Sequence, residues 1–268
     1  MTSSRARTVL LIAQLWLGLA LCAPARAAQE LVFAFSELEP WKTVDAANNY
    51  GGAYTEIVRE LARRLNLPLK IVPCPLKRCL VMLEHGEADI VIGIQDSGER
   101  AQYIQFLHTP YRERGSDKVF YVRKGMAARI QKFEDLRTLR VGVKNGAMNF
   151  ARFEEANELL KVGARDINTN FRKLVLGRLD TVIASEDQGE AILSQMHLRE
   201  QVEKAIYRSS ETAVPRAIGI SKKSAHLADI KRFEAAMGDM TKDGTLQKIY
   251  RRHYFEAYQI PLNSVPGL

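Results

Sequence analysis

The fold is indicated by a ten-residue pattern that occurs twice in the chain. Its two copies are Leu83-Glu-His-Gly-Glu-Ala-Asp-Ile-Val-Ile92 and Leu174-Val-Leu-Gly-Arg-Leu-Asp-Thr-Val-Ile183, which share leucine, glycine, aspartate, valine and isoleucine at the same offsets. In each copy a glycine suited to the left-handed end of a helix precedes a short apolar run typical of a buried strand. Either two helix–turn–strand units have converged by chance, or the chain contains two similar α/β lobes.

Strands and helices alternate on both sides of this pattern. Around the first copy, apolar runs predict strands at 31–35, 69–72 and 89–94, and amphipathic spacing predicts helices at 53–66 and 75–85. Around the second copy, strands are predicted at 118–123, 139–143 and 180–184, with a helix at 171–176 and further helices from residue 227. This order predicts parallel strands with crossover helices, so the fold class is α/β.

The first 27 residues have the three parts of a secretory signal peptide. Arg5 and Arg7 form a positive start, an apolar stretch of fourteen residues runs from Val9 to Cys22, and Ala25-Arg-Ala27 supplies a cleavage site. Fourteen helical residues span about 21 Å, which is short of the roughly 30 Å hydrocarbon core of a bilayer. We therefore expect residues 1–27 to be removed and the mature chain to be periplasmic.

The charge of the chain argues little for a nucleic-acid partner. The 268 residues carry a formal net charge of +8, and loss of the three arginines of the signal peptide leaves +5. The remaining basic residues are dispersed and lack interleaved aromatic residues. None of the five histidines has metal-ligand spacing, and the chain has no nucleophile elbow, zinc-protease, phosphate-loop or dinucleotide-binding motif. We expect no nucleic acid, no metal and no cofactor.

Two cysteines remain in the mature chain, Cys74 and Cys79. Within one helix, positions five apart are too distant for a disulfide, whose Cα atoms are usually about 4.4–6.8 Å apart. Pro75 favours the first helical position and biases Cys74 toward an extended conformation. Cys74 can then reach Cys79 from a strand-to-helix turn in an oxidising compartment. We expect a disulfide, with two unpaired buried thiols as the alternative.

The segment Ile92-Gly-Ile-Gln-Asp-Ser-Gly-Glu-Arg100 brings a polar loop to the carboxyl end of a predicted strand. Ligands of open α/β sheets bind at such ends. Arg100 can hold a carboxylate by two parallel hydrogen bonds, or it can be an ordinary surface arginine. With Phe106-Leu-His-Thr-Pro-Tyr111, this segment resembles the family 3 periplasmic solute-binding proteins, the amino-acid receptors of ABC importers. The resemblance extends over nearly all of residues 30–256.

The resemblance implies a type II periplasmic-binding-protein fold, in which two lobes are joined by two hinge strands and close on a ligand. Lobe 1 would comprise 28–111 and 217–268, lobe 2 would comprise 117–211, and the hinges would lie at 112–116 and 212–216. The implied function is capture of a small, polar, carboxylate-bearing ligand for an ABC permease or another periplasmic or membrane partner. Such a protein is expected to be a monomer and not an enzyme.

The same resemblance supplies candidate ligand-binding residues. Arg100 would grip the ligand α-carboxylate, Gly93 and Gln95 would contact its α-amino and carboxylate groups, and Lys144 and Ala147 would face the cleft from the second lobe. Trp41, from a matching Pro-Trp pair, is a further candidate.

Three positions depart from the family's pattern. Ser185 stands where an acid usually pairs with the ligand amino group, Ser36 where an acid often follows the first strand, and Leu76 where an aromatic residue commonly stacks. The neighbouring acids that could substitute are Glu37, Glu39, Glu186 and Asp187. These departures put an ordinary amino-acid ligand in doubt but leave a carboxylate ligand reasonable.

Two alternative functions use the same scaffold. One is an enzyme similar to cyclohexadienyl dehydratases, for which a carboxylic acid such as Glu186 would serve as general acid. The other is a periplasmic accessory or sensory partner that keeps the fold but has changed its ligand.

Overall fold

The computed structural model describes residues 29–211 and 213–260. The predicted signal peptide at 1–27 therefore lies outside the described residues, as do Thr212 of the second predicted hinge and residues 261–268 at the end of predicted lobe 1. Within the described ranges, no helix combines the length and apolar character that a bilayer crossing requires.

Twelve strands and seven α-helices make up the described chain. The strands are β1 (Leu31–Phe35), β2 (Thr43–Val44), β3 (Tyr50–Gly51), β4 (Leu69–Pro73), β5 (Ile90–Val91), β6 (Ile104–Phe106), β7 (Lys118–Arg123), β8 (Arg140–Lys144), β9 (Leu160–Ala164), β10 (Thr181–Ser185), β11 (Val202–Ser209) and β12 (Gly219–Ser221). The helices are α1 (Ala53–Leu65), α2 (Leu76–His85), α3 (Ala151–Glu155), α4 (Ile167–Val175), α5 (Glu186–Gln195), α6 (Ile230–Lys242) and α7 (Thr245–Tyr250).

The strands form two separate five-stranded sheets and one small hairpin. The first sheet has the order β4-β1-β5-β12-β6, with β1 parallel to β4 and β5 and with β12 antiparallel to its neighbours. The second sheet has the order β11-β7-β10-β8-β9, and β8 is parallel to β9 and β10. The first lobe is defined here as the first sheet with α1, α2, α6 and α7, and the second lobe as the second sheet with α3, α4 and α5.

The two copies of the repeated pattern occupy equivalent positions in the two lobes. Gly86 and Gly177 follow α2 and α4 with left-handed φ angles of +77° and +70°. The carboxylate of Asp89 accepts a backbone N–H of β1 at 2.8 Å, and that of Asp180 accepts the first N–H of β8 at 2.9 Å. Each aspartate thus ties the start of its strand to the neighbouring parallel strand, and the pattern marks equivalent units of two similar α/β lobes.

The apolar faces predicted from the sequence form the cores. The stripe of α1 buries Ile57, Leu61 and Leu65 against Phe33 of β1 and Met237 of α6. Such burial stabilises each of these side chains by roughly 1.5–3 kcal/mol relative to exposure. Separate apolar clusters fill the space beneath α2 and on the two faces of the second sheet.

Some predicted elements differ in extent from the structure; the helix predicted at 171–176, for example, begins at Ile167. The strand predicted at 89–94 is paired only over Ile90–Val91, because the chain turns at Gly93, whose φ is +83°. A Cβ at Gly93 would lie 3.1 Å from side-chain atoms of both Leu38 and Tyr54, so the turn favours glycine. The helix predicted from residue 227 begins as a 3₁₀ turn at Ala225–Asp229 and becomes α-helical at Ile230.

The cysteines lie at the strand-to-helix turn that the sequence predicts. Cys74 follows β4, and Pro75 is the N-cap of α2, which contains Cys79. The two Cα atoms are 5.4 Å apart, and the Sγ atoms lie at bonding distance, 2.01 Å. The turn is anchored by the N–H of Cys74, which donates to the carbonyl of Phe35 at 2.9 Å.

Candidate functional site

A cavity lies between the two lobes at the carboxyl ends of their central strands. The segments that follow β1 and β5 in the first lobe supply Ser36 and Gly93, and the segments at the ends of β8 and β10 in the second lobe supply Lys144 and Ser185. In a parallel sheet, the loops at the carboxyl ends of the strands lie along one edge. Ligands of α/β proteins bind at that edge. The fold therefore assembles the site from loops that are far apart in the sequence.

Nine of the ten predicted ligand-binding residues line this cavity. They are Ser36, Trp41, Leu76, Gly93, Gln95, Arg100, Lys144, Ala147 and Ser185. Their roles toward a ligand remain predictions, since the structure shows their placement alone.

The tenth residue, Glu186, does not line the cavity. Its carboxylate binds Lys204 Nζ at 2.7 Å and lies 3.4 Å from Arg208 Nη1. Glu186 opens α5, and successive helical side chains point about 100° apart. The next residue, Asp187, therefore faces the cavity instead. The position expected of Glu186 is corrected to Asp187.

Arg100 is a buried cation in the cavity wall. Its exposure is 7%, although it lies in a short 3₁₀ turn on a loop. Nη1 donates to the carbonyl of Gln95 at 2.8 Å, and within the described ranges no carboxylate forms an ion pair with it. Burial lowers the pKa of the guanidinium, an effect that Tyr103 and Glu99 partly oppose. A buried guanidinium with unused donors is suited to an anionic group.

A buried ion pair joins the first predicted hinge to the second lobe. Arg112 Nη1 lies 2.5 Å from Asp187 Oδ2, and the two side chains are 2% and 3% exposed. Arg112 Nη2 also donates to Ser116 Oγ at 2.9 Å, and its guanidinium lies 5.5 Å from the ring of Trp41. Burial lowers the pKa of Arg112, but the attraction of Asp187 outweighs it, so that the net shift is upward. The charge of Asp187 is thus compensated by Arg112 within the protein.

Aromatic rings form the floor of the cavity on the first-lobe side. Trp41 is sandwiched between Tyr54 at 5.0 Å and Tyr254 at 4.4 Å, with nearly parallel planes. Tyr111 packs edge-on against Tyr54 at 4.9 Å. Because tyrosine rings cover both faces of the Trp41 indole, only its edge is available to the cavity. Stacking on its two faces stabilises the aromatic floor.

Two lysines at the cavity carry no sequence motif, and sequence reasoning missed them. Lys42 is wholly buried behind Ser36, and Nζ donates to Ser36 Oγ at 3.2 Å and to the carbonyl of Ile92 at 3.0 Å. Burial, together with Lys144, lowers its pKa to about 7. Lys118, the first residue of β7, lines the cavity. Its burial and, to a smaller extent, the positive charge of Arg216 lower its pKa to about 8.

Hydrogen bonds across the cavity entrance hold the lobes together. The segment after β1 receives three bonds from the second lobe: Lys144 Nζ to the carbonyl of Glu37 at 3.3 Å, Asn168 Nδ2 to Glu39 Oε2 at 2.5 Å, and Gln188 Nε2 to the carbonyl of Glu39 at 2.8 Å. Glu39 thus contacts the second lobe rather than the cavity. These bonds bring the two walls within reach of one small molecule.

Groups of His, Cys, Asp and Glu able to hold a metal ion are absent from residues 29–211 and 213–260. The cavity lining offers hydrogen bonds and charges: three arginines, two lysines, serine hydroxyls and backbone groups around a partly aromatic floor.

Comparison with known proteins places this geometry in context. The family model of the bacterial extracellular solute-binding proteins, family 3, matches residues 31–256. The L-cystine-binding protein TcyJ of Escherichia coli K12 is 25% identical over 207 residues, which cover 76% of this chain and 74% of that protein. The amino-acid-binding protein AabA of Dichelobacter nodosus is 23% identical over 224 residues, covering 82% and 85%.

The fold is shared with solved structures of low sequence identity. An ancestral arginine-binding protein bound to arginine has a TM-score of 0.72 and 22% identity, with coverage of 85% of this chain and 99% of that one. These matches confirm the predicted two-lobed type II fold and the resemblance drawn from the sequence.

Proposed function

The chain belongs to the bacterial extracellular solute-binding proteins, family 3, and on that premise we propose that it captures a small, polar, carboxylate-bearing ligand between its lobes for an ABC importer. The relatives named as amino-acid-binding and cystine-binding proteins support a ligand of this size and polarity. We also propose that the mature chain acts in the periplasm as a monomer and that its contribution is binding, with closure of the lobes as the signal to its membrane partner.

The observation that carries this proposal is the buried Arg100 in the cavity wall. A guanidinium with 7% exposure that lacks a carboxylate partner within the described residues loses hydration without full compensation. A ligand carboxylate can supply two charge-assisted hydrogen bonds to it. The cavity thus has a buried cation without a carboxylate partner among the described residues at the position that the family resemblance predicts for carboxylate binding.

The test is isothermal titration calorimetry of the mature protein with amino acids and organic acids, first on the unaltered chain and then on Arg100→Ala. Loss of charged hydrogen bonds costs about 1.5–3 kcal/mol, so affinity should fall roughly 10- to 150-fold. Arg178→Ala is the matched control because Arg178 is exposed and lies outside the cavity. Affinity that stays within twofold in Arg100→Ala would remove the assignment of Arg100.

The alternative of a dehydratase-like enzyme lacks its expected acid. Glu186, the candidate general acid, is paired with Lys204 and lies outside the cavity wall. A general acid must reach the bound substrate to give it a proton, and Glu186 does not face the cavity. We propose that the protein does not dehydrate prephenate. Formation of phenylpyruvate above the uncatalysed rate, followed by absorbance, would overturn this proposal.

A further inference from the structure

We propose that the ligand carries two separate carboxylates and that the cavity selects small dicarboxylates over monocarboxylates, amides and cationic amino acids. This inference rests on the proposed binding function and names the substrate class of the same site. It follows from two independent observations: the balance of charges on the cavity wall, and the direction of one hydrogen bond behind that wall.

The acids of the wall are already matched by cations. Among the described residues that line the cavity, the carboxylates belong to Glu37 and Asp187. Asp187 is bound to Arg112 at 2.5 Å inside the protein. Glu37 is exposed at the entrance, where Lys144 attracts its carboxylate and donates to its carbonyl at 3.3 Å. These two acids therefore offset two of the cations.

Arg100 and Lys118 are then left in excess. Both line the cavity, one from each lobe, and neither has an ion pair with a carboxylate among residues 29–211 and 213–260. The charge of Arg216 repels Lys118, whereas Asp187 and Glu154 attract it more weakly. A neutral amino acid brings one positive charge for each negative charge and leaves this excess in place. A dianion offsets it, and buried charges require such pairing.

The hydroxyl of Ser36 provides the second observation. The protonated form of Lys42, which predominates below its pKa of about 7, can only donate, so in that form Ser36 Oγ is the acceptor of the 3.2 Å bond between them. The hydroxyl hydrogen is then directed elsewhere, and Ser36 lines the cavity with 6% exposure. Below pH 7 Ser36 therefore presents a donor to the ligand, with a buried positive charge behind it. An anionic group matches this arrangement, whereas an ammonium or guanidinium group is repelled.

The two observations place donors for anions at the ends of β1 and β5 and at the start of β7. A single carboxylate occupies the guanidinium of Arg100 and leaves the donors of Ser36 and Lys118 unmet. A second carboxylate on the same molecule meets them. The ligand amino group that many amino acids carry has no buried acid waiting for it, since the one buried acid of the described wall, Asp187, is held by Arg112.

The experiment is calorimetry at pH 6.5, where Lys42 is mostly protonated, with matched pairs that differ by one charge. Succinate is compared with succinamate, glutarate with glutaramate, and L-glutamate with L-glutamine; L-arginine is titrated separately. We expect at least one dicarboxylate to bind, at least tenfold more tightly than its monoamide. Equal or tighter binding of a monoamide, of glutamine or of arginine would overturn the proposal, as would failure of every dicarboxylate to bind.

Variants connect the preference to the residues that the proposal names. Lys118→Gln should reduce the affinity for the dicarboxylate about tenfold and so reduce the difference in affinity between the dicarboxylate and its monoamide. Ser36→Ala should reduce this difference in affinity as well. Lys124→Gln is the control, since Lys124 is exposed just beyond the opposite end of β7. Thermal melts establish that each variant is folded. An unchanged preference in both cavity variants would contradict the inference.

The outcomes also separate this inference from the proposed function. If glutamine or arginine binds best and Arg100→Ala weakens it, capture of a carboxylate stands and only the dicarboxylate class is wrong. If binding of every ligand is indifferent to Arg100→Ala, the proposed site itself is wrong.

Discussion

Replacement of Asp187 by asparagine should destabilise the protein strongly. The substitution keeps the size of the side chain but removes the charge that faces Arg112 Nη1 at 2.5 Å. The guanidinium is 2% exposed and has no second carboxylate among the described residues. Its Nη2 keeps the bond to Ser116, while its Nε has no hydrogen-bond partner. The cation would thus remain buried without an opposite charge beside it.

The magnitude follows from this burial. Removal of one member of a buried ion pair costs about 3–5 kcal/mol, because the other charge is left unpaired. The asparagine amide oxygen can still accept one hydrogen bond. We therefore expect Asp187→Asn to lower the free energy of unfolding by about 3 kcal/mol, the lower end of this range. Removal of both charges in Arg112→Met/Asp187→Leu should cost less than Asp187→Asn alone, since apolar replacement of both partners is often nearly neutral.

Urea unfolding followed by tryptophan fluorescence measures both effects. Trp41 is the single tryptophan of the mature chain, and its ring lies 5.5 Å from the Arg112 guanidinium, so the signal reports on this region directly. A loss smaller than about 1 kcal/mol in Asp187→Asn would refute the reasoning. So would a double variant that is less stable than the single one.

Two further predictions concern cysteine and lysine chemistry. Protein purified from the periplasm should show no free thiol under denaturing conditions, and reduction of the short Cys74–Cys79 loop should cost about 2 kcal/mol; two titratable thiols per chain would contradict the disulfide. Burial lowers the pKa of Lys42 to about 7, so above that pH the unfolded chain binds more protons than the folded one. Lys42 should therefore make the free energy of unfolding rise by up to about 1.4 kcal/mol per pH unit between pH 7 and 9. Lys42→Met should remove that part of the slope, and parallel stability curves for the two proteins would show the reasoning to be wrong.

Local patterns were sufficient to predict the framework of the fold. The spacing of Gly86 and Asp89, and its recurrence in the second half, reflects a helix end and a strand start that are encoded within ten residues. Arg100 lies in the loop that follows a recognisable strand, and the family resemblance of that loop identified it as a ligand-binding candidate. Interactions that depend on adjacent segments of chain are visible in a single sequence.

The charge arrangement of the site was not predictable in the same way. Arg112 and Asp187 are 75 positions apart, and nothing in either segment indicates that they meet. The choice between Glu186 and Asp187 depends on the residue at which β10 ends and α5 begins, a boundary that sequence patterns locate only to within a few residues. Lys42 was missed because a lysine beside a tryptophan resembles any surface lysine until the sheet buries it.

The position of β12 has a consequence for a chain that is synthesised from its N-terminus. The edge strand β6 joins the first sheet through β12, which begins at Gly219, after every strand of the second lobe. The second sheet is built from one continuous stretch, β7 to β11, so it can be completed while the first sheet still exposes the edge of β5. Because contacts distant in sequence form more slowly than local ones, the first lobe is the last to close. A chain that ends before β12 therefore lacks a complete first sheet, and the cavity between the two lobes forms only after that strand has been added.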